Sequence, residues 1–404
     1  MRIFPNAVSL APVLGALWAF IACASVAVIM SFSTGEPFRP DPLITLGFGA
    51  VLALVALQAR SGAILVLLVA IAAFVMNASG FGALVIGEDV SMTAKIIACG
   101  MLGVSLGLGL DKILDALPNG TISRHEAEEA IIRFLTGFGY IFFTAIVLIP
   151  FYVMVMTSLK SQSALLQNPL DFSLDLSRGL GLFRSYFELF GQFNFGTYLW
   201  TSFLVSVITV LITLAFSIPG AYAVARLRFR GRAAFSRSIL LIYMVPMIVL
   251  ALPIYIAFSV TGLRNTLIGI VLIYPVTTIP VALYMLQGYF RGLPAEVEEA
   301  GLMDGLNRLQ VIWKITLPLA LPALASVSLY VFMIAWNEFL LAFMLLDDPS
   351  KFTLTRGVAM LNSSEIPREH LMAGAVIATV PVMALFLGLE KFMTKGLTAG
   401  SVKG

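Results

Sequence analysis

Charge is what this sequence has least of. Only 12% of its 404 residues are Asp, Glu, Lys or Arg, against about 25% in a soluble domain, which excludes a water-facing surface over most of the chain. Histidine is confined to His125 and His370, and cysteine to Cys23 and Cys99. The two histidines stand alone in polar segments, so no metal-ligand cluster is predicted. The cysteines sit inside apolar runs and read as small packing residues rather than a disulfide. No Gly-x-x-x-x-Gly-Lys-Ser/Thr loop occurs, so the chain is not expected to cradle and hydrolyse ATP in that manner. One stretch, Gly103-Val104-Ser105-Leu106-Gly107, matches the nucleophile-elbow pattern, but it lacks the strand-turn-helix context that chemistry needs. Its glycines, four apart in an apolar run, read instead as a helix-packing face. The net charge of +3 is small, and its basic residues are dispersed between apolar runs, which argues against nucleic acid.

What is abundant is apolar sequence: 59% of residues, with a mean hydropathy of +0.97. Against about 20 residues per membrane crossing, about ten segments are candidates: 8–30, 43–59, 62–76, 92–110, 134–156, 198–225, 235–258, 266–287, 320–345 and 371–392. The second and third are short, separated only by Arg60-Ser61, and suit a tight helical hairpin. The first follows Arg2, but its apolar core exceeds the ~7–15 residues of a signal peptide and reads as a span. Lys/Arg bias sets orientation. The densest basic segment, Arg226-Leu227-Arg228-Phe229-Arg230-Gly231-Arg232, belongs in the cytoplasm, and alternation then puts both termini and 291–314 there too. Pro219, Pro246, Pro253, Pro275, Pro280 and Pro381 fall within spans, where neighbouring protein must satisfy the freed carbonyls.

Ser123 stands three residues before Glu126, the spacing of a capping box and so of a helix start. It divides an amino-terminal block, 1–122, of about four spans from a carboxy-terminal block, 123–404, of about six. The expected fold is an all-α polytopic transmembrane bundle.

One loop, 291–318, carries unusual chemistry. Pro294 followed by Glu296, Glu298 and Glu299 is helix-start chemistry, with acid at the positive end of the dipole. Gly305 is placed to end that helix in a left-handed cap, and Asn307 to cap a second. Two short helices meeting at a glycine corner result. Interfacial helices that lie on lipid favour Lys and Arg on their polar face; three glutamates favour a protein surface instead. Within the ninth apolar segment, Glu338 is the costliest residue. With Trp336 and Asn337 it makes a candidate path surface, where a ring stacks on a sugar and polar groups meet hydroxyls; a structural contact between helices is the alternative.

Glu299-Ala300-Gly301, three residues, Gly305, then Ile315-Thr316-Leu317-Pro318 resembles the EAA loop of ABC importer permeases. The flanks resemble the smaller permease subunit of maltose-type sugar importers: Thr157-Ser158-Leu159-Lys160, the 221–231 segment, Trp336-Asn337-Glu338-Phe339, and the 396–404 tail. The resemblance covers roughly 134 to the end. The second alanine of the motif is Gly301 here, at a cost of up to about 1 kcal/mol in helix propensity, and 1–122 has no counterpart in the usual subunit. The resemblance implies an inner-membrane permease that binds no cofactor itself. ATP would be bound by a partner ATPase dimer gripping Glu298, Glu299, Ala300, Gly301, Asp304 and Gly305, with Leu317 and Pro318 fixing the next span. A second permease, a periplasmic or lipid-anchored solute-binding protein and a sugar substrate complete the implied system. The rival class is an ion-coupled secondary transporter, which often shows repeat symmetry and buried charge pairs; neither is evident in this sequence.

Overall fold

The computed structural model describes residues 6–59, 61–87, 89–167, 173–174, 176–243, 245–363 and 366–398. Arg2, Arg60 and the end of the tail, 399–404, lie outside these residues. The chain forms two compact units, Met1–Leu182 and Phe183–Gly404.

The first unit is built from α1 (Ala7–Thr34), α2 (Pro42–Ala59), α3 (Gly62–Ala78), α4 (Met92–Leu114) and α5 (Arg124–Ser158). Small residues let these helices pack backbone to backbone. A Cβ on Gly15 would stand 2.5 Å from the Gly49 carbonyl oxygen, locking α1 on α2. On α4, Cβ atoms at Gly103 and Gly107 would lie 2.7 Å from the Val66 carbonyl oxygen and nitrogen of α3. The two glycines of the false elbow are thus a packing face, as their spacing predicts. Cys23 and Cys99 are buried and unpaired. The loops after α1 and α3 are pinned together by two short antiparallel strands, β1 (Phe38–Pro40) and β2 (Leu84–Ile86), with Phe38 opposite Ile86. Helix α5 opens with the predicted capping box: Glu126 N–H donates to Ser123 Oγ at 3.3 Å and Ser123 N–H to Glu126 Oε2 at 2.6 Å.

The second unit comprises α6 (Arg184–Gln192), α7 (Phe195–Arg226), α8 (Arg232–Tyr243), α9 (Met247–Val260), α10 (Leu267–Gly292), α11 (Ala295–Met303), α12 (Arg308–Leu319), α13 (Leu321–Asn337), α14 (Leu340–Leu345), α15 (Leu354–Met360) and α16 (Arg368–Thr398). Its central pair is α7 against α10, joined in an apolar setting by the Thr213 and Thr278 hydroxyls 2.6 Å apart. Helix α13 packs on both α7 and α16.

All ten apolar segments fall on helices, but not all as unbroken spans. Among the described residues six helices are long and apolar enough to cross a membrane, or seven if the bent pair α12–α13 counts as one. Segments 43–59 and 62–76 remain short helices. Segment 235–258 is split into α8 and α9, with Pro246 at the start of α9, where a ring without an N–H cannot continue α8. Segment 320–345 is interrupted at Glu338 and Phe339. The structural division falls after α5, whereas the capping signal divides the sequence before it, because α5 packs on α1 and α4.

Candidate functional site

The 295–319 segment is a helix, a corner and a second helix. Pro294 occupies the cap position of α11 with extended backbone (ψ 124°), and Glu296 and Glu298 lie in the first turn. The helix ends in a tight turn: Asp304 N–H donates to the Ala300 carbonyl at 2.9 Å and Leu306 N–H to the Gly301 carbonyl at 3.1 Å. Gly305 has φ +86°, the left-handed conformation for which glycine carries no Cβ penalty. Asn307 and Gln310 then form a reciprocal capping box, with both bonds 2.9 Å. Helix α12 widens to a π-turn over Ile312–Thr316, and α13 leaves it at an angle of 79°.

The sequence-predicted residues separate into two sets. Glu299, Ala300, Asp304, Gly305 and Pro318 are exposed; Glu298 and Gly301 are buried and Leu317 is half-buried. Glu298 faces inward, where Tyr222 Oη donates to its Oε2 at 3.1 Å and Thr316 Oγ1 to its Oε1 at 3.1 Å. The Arg226 guanidinium stands 3.3 Å from Oε1 and donates at 2.7 Å to the Leu293 carbonyl at the end of α10. One buried carboxylate therefore ties α11 to α7 and α12, and its arginine holds the joint between α10 and α11. Tyr222, Arg226 and Thr316 stand in segments that the sequence singles out, but as partners of Glu298 they escaped sequence reasoning. The available signal was the i,i+4 spacing of Tyr222 and Arg226, which puts them on one helix face.

Where the motif has alanine this chain has Gly301, and a Cβ there would overlap Ile315 Cδ1, the mobile end of that side chain. The isoleucine of α12 occupies the space an alanine methyl would need. Around the exposed acids the surface is apolar, with Met303 87%, Trp313 71% and Leu309 69% exposed. Exposed apolar side chains grouped in this way mark an interaction surface.

The second candidate cluster lies at the break between α13 and α14. Trp336 is buried, donating from Nε1 to the Ala378 carbonyl of α16 at 3.0 Å and stacking on Phe332. Asn337 is exposed and its Nδ2 returns to the Met333 carbonyl at 2.8 Å. Glu338 is half-buried and caps α14, accepting from Leu341 N–H at 3.1 Å and Ala342 N–H at 3.3 Å. The buried Tyr274 hydroxyl lies beside the same carboxylate without good hydrogen-bond geometry. The three residues are thus adjacent in sequence but face different ways.

Residues 217–398 match the family described as binding-protein-dependent transport system inner membrane component. The chain is 37% identical over 270 residues to the inner membrane ABC transporter permease protein YcjP of Escherichia coli (strain K12), covering 66% of this chain and 95% of that one. It is 33% identical over 280 residues to the trehalose/maltose transport system permease protein MalG of Thermococcus litoralis, covering 69% of this chain and 99% of the relative. Among solved structures it resembles a chain of a bacterial ABC transporter involved in the import of the acidic polysaccharide alginate. There the TM-score is 0.56 at 26% identity, covering 67% of this chain and 98% of that one.

Proposed function

Given that the chain belongs to the family of binding-protein-dependent inner-membrane transport components, as a permease of the carbohydrate ABC importers, we propose that segment 295–319 is its mechanical contact with a separate ATPase subunit. The Glu298 clamp is the observation that carries this reading. A lever must be stiff where it meets the spans and open where it meets its driver. Glu298 is fastened to Tyr222, Arg226 and Thr316, while Glu299, Ala300, Asp304 and Gly305 stay on the outer surface. Movement imposed on that surface passes through Glu298 into α7, and through the bend after Leu319 into α13. Leu317 and Pro318 sit just before that bend.

In this reading residues 123–404 are the permease core, and a second, similar permease supplies the other half of the path. The exposed Asn337 lies on that path at the helix break, which Glu338 caps, with Trp336 packed behind. Both termini are cytoplasmic, and helices α1–α4 precede the core. The substrate is a sugar or glycoside delivered by a solute-binding protein. The names of two matched proteins, a trehalose/maltose permease and an alginate importer, support that class. The chain hydrolyses no ATP itself.

The test is uncoupling. In proteoliposomes holding the whole transporter, Glu299→Lys reverses a charge at the contact and Gly305→Pro removes the left-handed corner. Each is expected to abolish uptake while the complex still assembles and its ATPase still turns over. Normal uptake in both variants would refute the reading.

A further inference from the structure

The break between α13 and α14 releases backbone groups inside an apolar segment. Lipid cannot satisfy them, so such a break is stable only against protein or a water-filled cavity. Beside it lie two partly exposed rings, Phe339 and Phe343, 42% and 49% accessible, with centroids 5.2 Å apart. Helix α15 is fastened to the break by Thr355, whose hydroxyl donates to the Glu338 carbonyl at 2.7 Å. The next residue is Arg356. Its guanidinium lies between the Phe343 ring, 4.4 Å from the centroid, and the Phe352 ring, 4.7 Å away.

Three other arginines of this unit have carboxylates: Arg184 at 2.6 Å, Arg226 at 3.3 Å and Arg264 at 2.7 Å. Among the described residues Arg356 has neither an ion pair nor a hydrogen bond, and its half-buried side chain holds a buried Nε with no acceptor. The Nε atoms of Arg226 and Arg264 lack a hydrogen bond too; Arg356 differs in that its whole guanidinium lacks a polar partner, and an unpaired donor group calls for an explanation such as an ion or ligand. The Phe343 and Phe352 rings flank the guanidinium, whose terminal nitrogens, unlike Nε, are not among the buried unpaired atoms. The planar edge of a guanidinium matches a carboxylate in bidentate fashion.

We propose that Arg356, with Phe339 and Phe343, forms a path subsite for a carbohydrate bearing an acidic group, a uronate or a sulfonate. The sugar's apolar face lies against the exposed rings, and its acid meets the guanidinium edge. The inference rests on the reading that this face lines a sugar path. It narrows that path from sugars in general to anionic ones.

The experiment uses the complete transporter in neutral detergent and two probes that differ only in one carboxyl group, methyl β-D-glucuronide and methyl β-D-glucoside. Binding is titrated by saturation-transfer NMR. The glucuronide is expected to bind about tenfold or more tightly than the glucoside, as for a charge-assisted hydrogen bond. Arg356→Gln is expected to bring the glucuronide down to the level of the glucoside, and Arg356→Lys to restore part of the preference. Equal binding of the two probes by the unaltered protein, or a preference that survives Arg356→Gln, overturns the anion anchor and leaves the sugar path standing. Binding of neither probe overturns both. A third outcome assigns Arg356 to a lipid phosphate and also overturns the proposal: added phosphatidylglycerol raises the melting temperature in an Arg356-dependent way, with no glucuronide preference.

Discussion

Glu298 and Glu299 are neighbours in sequence, one buried and the other exposed. Glu298 holds a largely buried arginine, its side chain 12% exposed, and two hydroxyls, and removing one partner of such a pair leaves the other charge uncompensated. Glu298→Ala is expected to cost about 3–5 kcal/mol of stability. Glu298→Gln keeps one acceptor and should cost about 1–3 kcal/mol. Thermal unfolding of the solubilised protein measures both, and an alanine variant as stable as the glutamine variant would contradict the clamp. Gly301 and Ile315 make a second pair that can be tested by a cycle. Gly301→Ala gains up to about 1 kcal/mol of helix propensity but drives a methyl into Ile315 Cδ1, and overpacking typically costs about 1–3 kcal/mol. Ile315→Val removes that methyl. The double variant should therefore be more stable than the sum of the single changes, by about 1 kcal/mol or more; strict additivity would show that the two side chains do not compete.

At the scale of elements, α6 is held to the start of α16 by Glu188, which meets Arg184 at 2.6 Å and His370 Nε2 at 2.8 Å. Those hydrogen bonds, Arg184's first, hold the Glu188 carboxyl below its ordinary value of 4.5. A depressed carboxylate stabilises the fold above its unfolded pKa, and that contribution is lost as the pH falls through the folded value. The α6–α16 contact should therefore loosen as the pH drops below about 4.5. Comparing melting temperatures at neutral and acid pH, the unaltered protein should lose more than Glu188→Gln; equal losses would remove Glu188 as the cause. The capping box at Ser123, the cap at Asn307, the glycine corner at Gly305 and the Gly103–Gly107 face were all legible in the sequence, because each is set by residues a few positions apart. The Glu298 clamp was not, since Tyr222 lies 76 positions from Glu298. The direction of Trp336 was hidden too, since periodicity in a wholly apolar run does not tell an inward face from an outward one. Arg356 carried no signal in the sequence, since the Phe343 ring comes beside it only in the fold.

At the scale of the molecule, the relatives are covered almost end to end while this chain is not, which fits a transport core carrying an added helical unit. That unit has its own glycine-locked packing and its own small sheet. The central claim concerns the core alone: force generated on ATP enters this chain through the surface around Ala300. A photoreactive residue at position 300, illuminated in intact membranes with and without a non-hydrolysable ATP analogue, tests it most directly. The account predicts crosslinks to the ATPase subunit whose yield or partner residue changes with nucleotide; crosslinks that reach only lipid or this same chain, whatever the nucleotide, would contradict it.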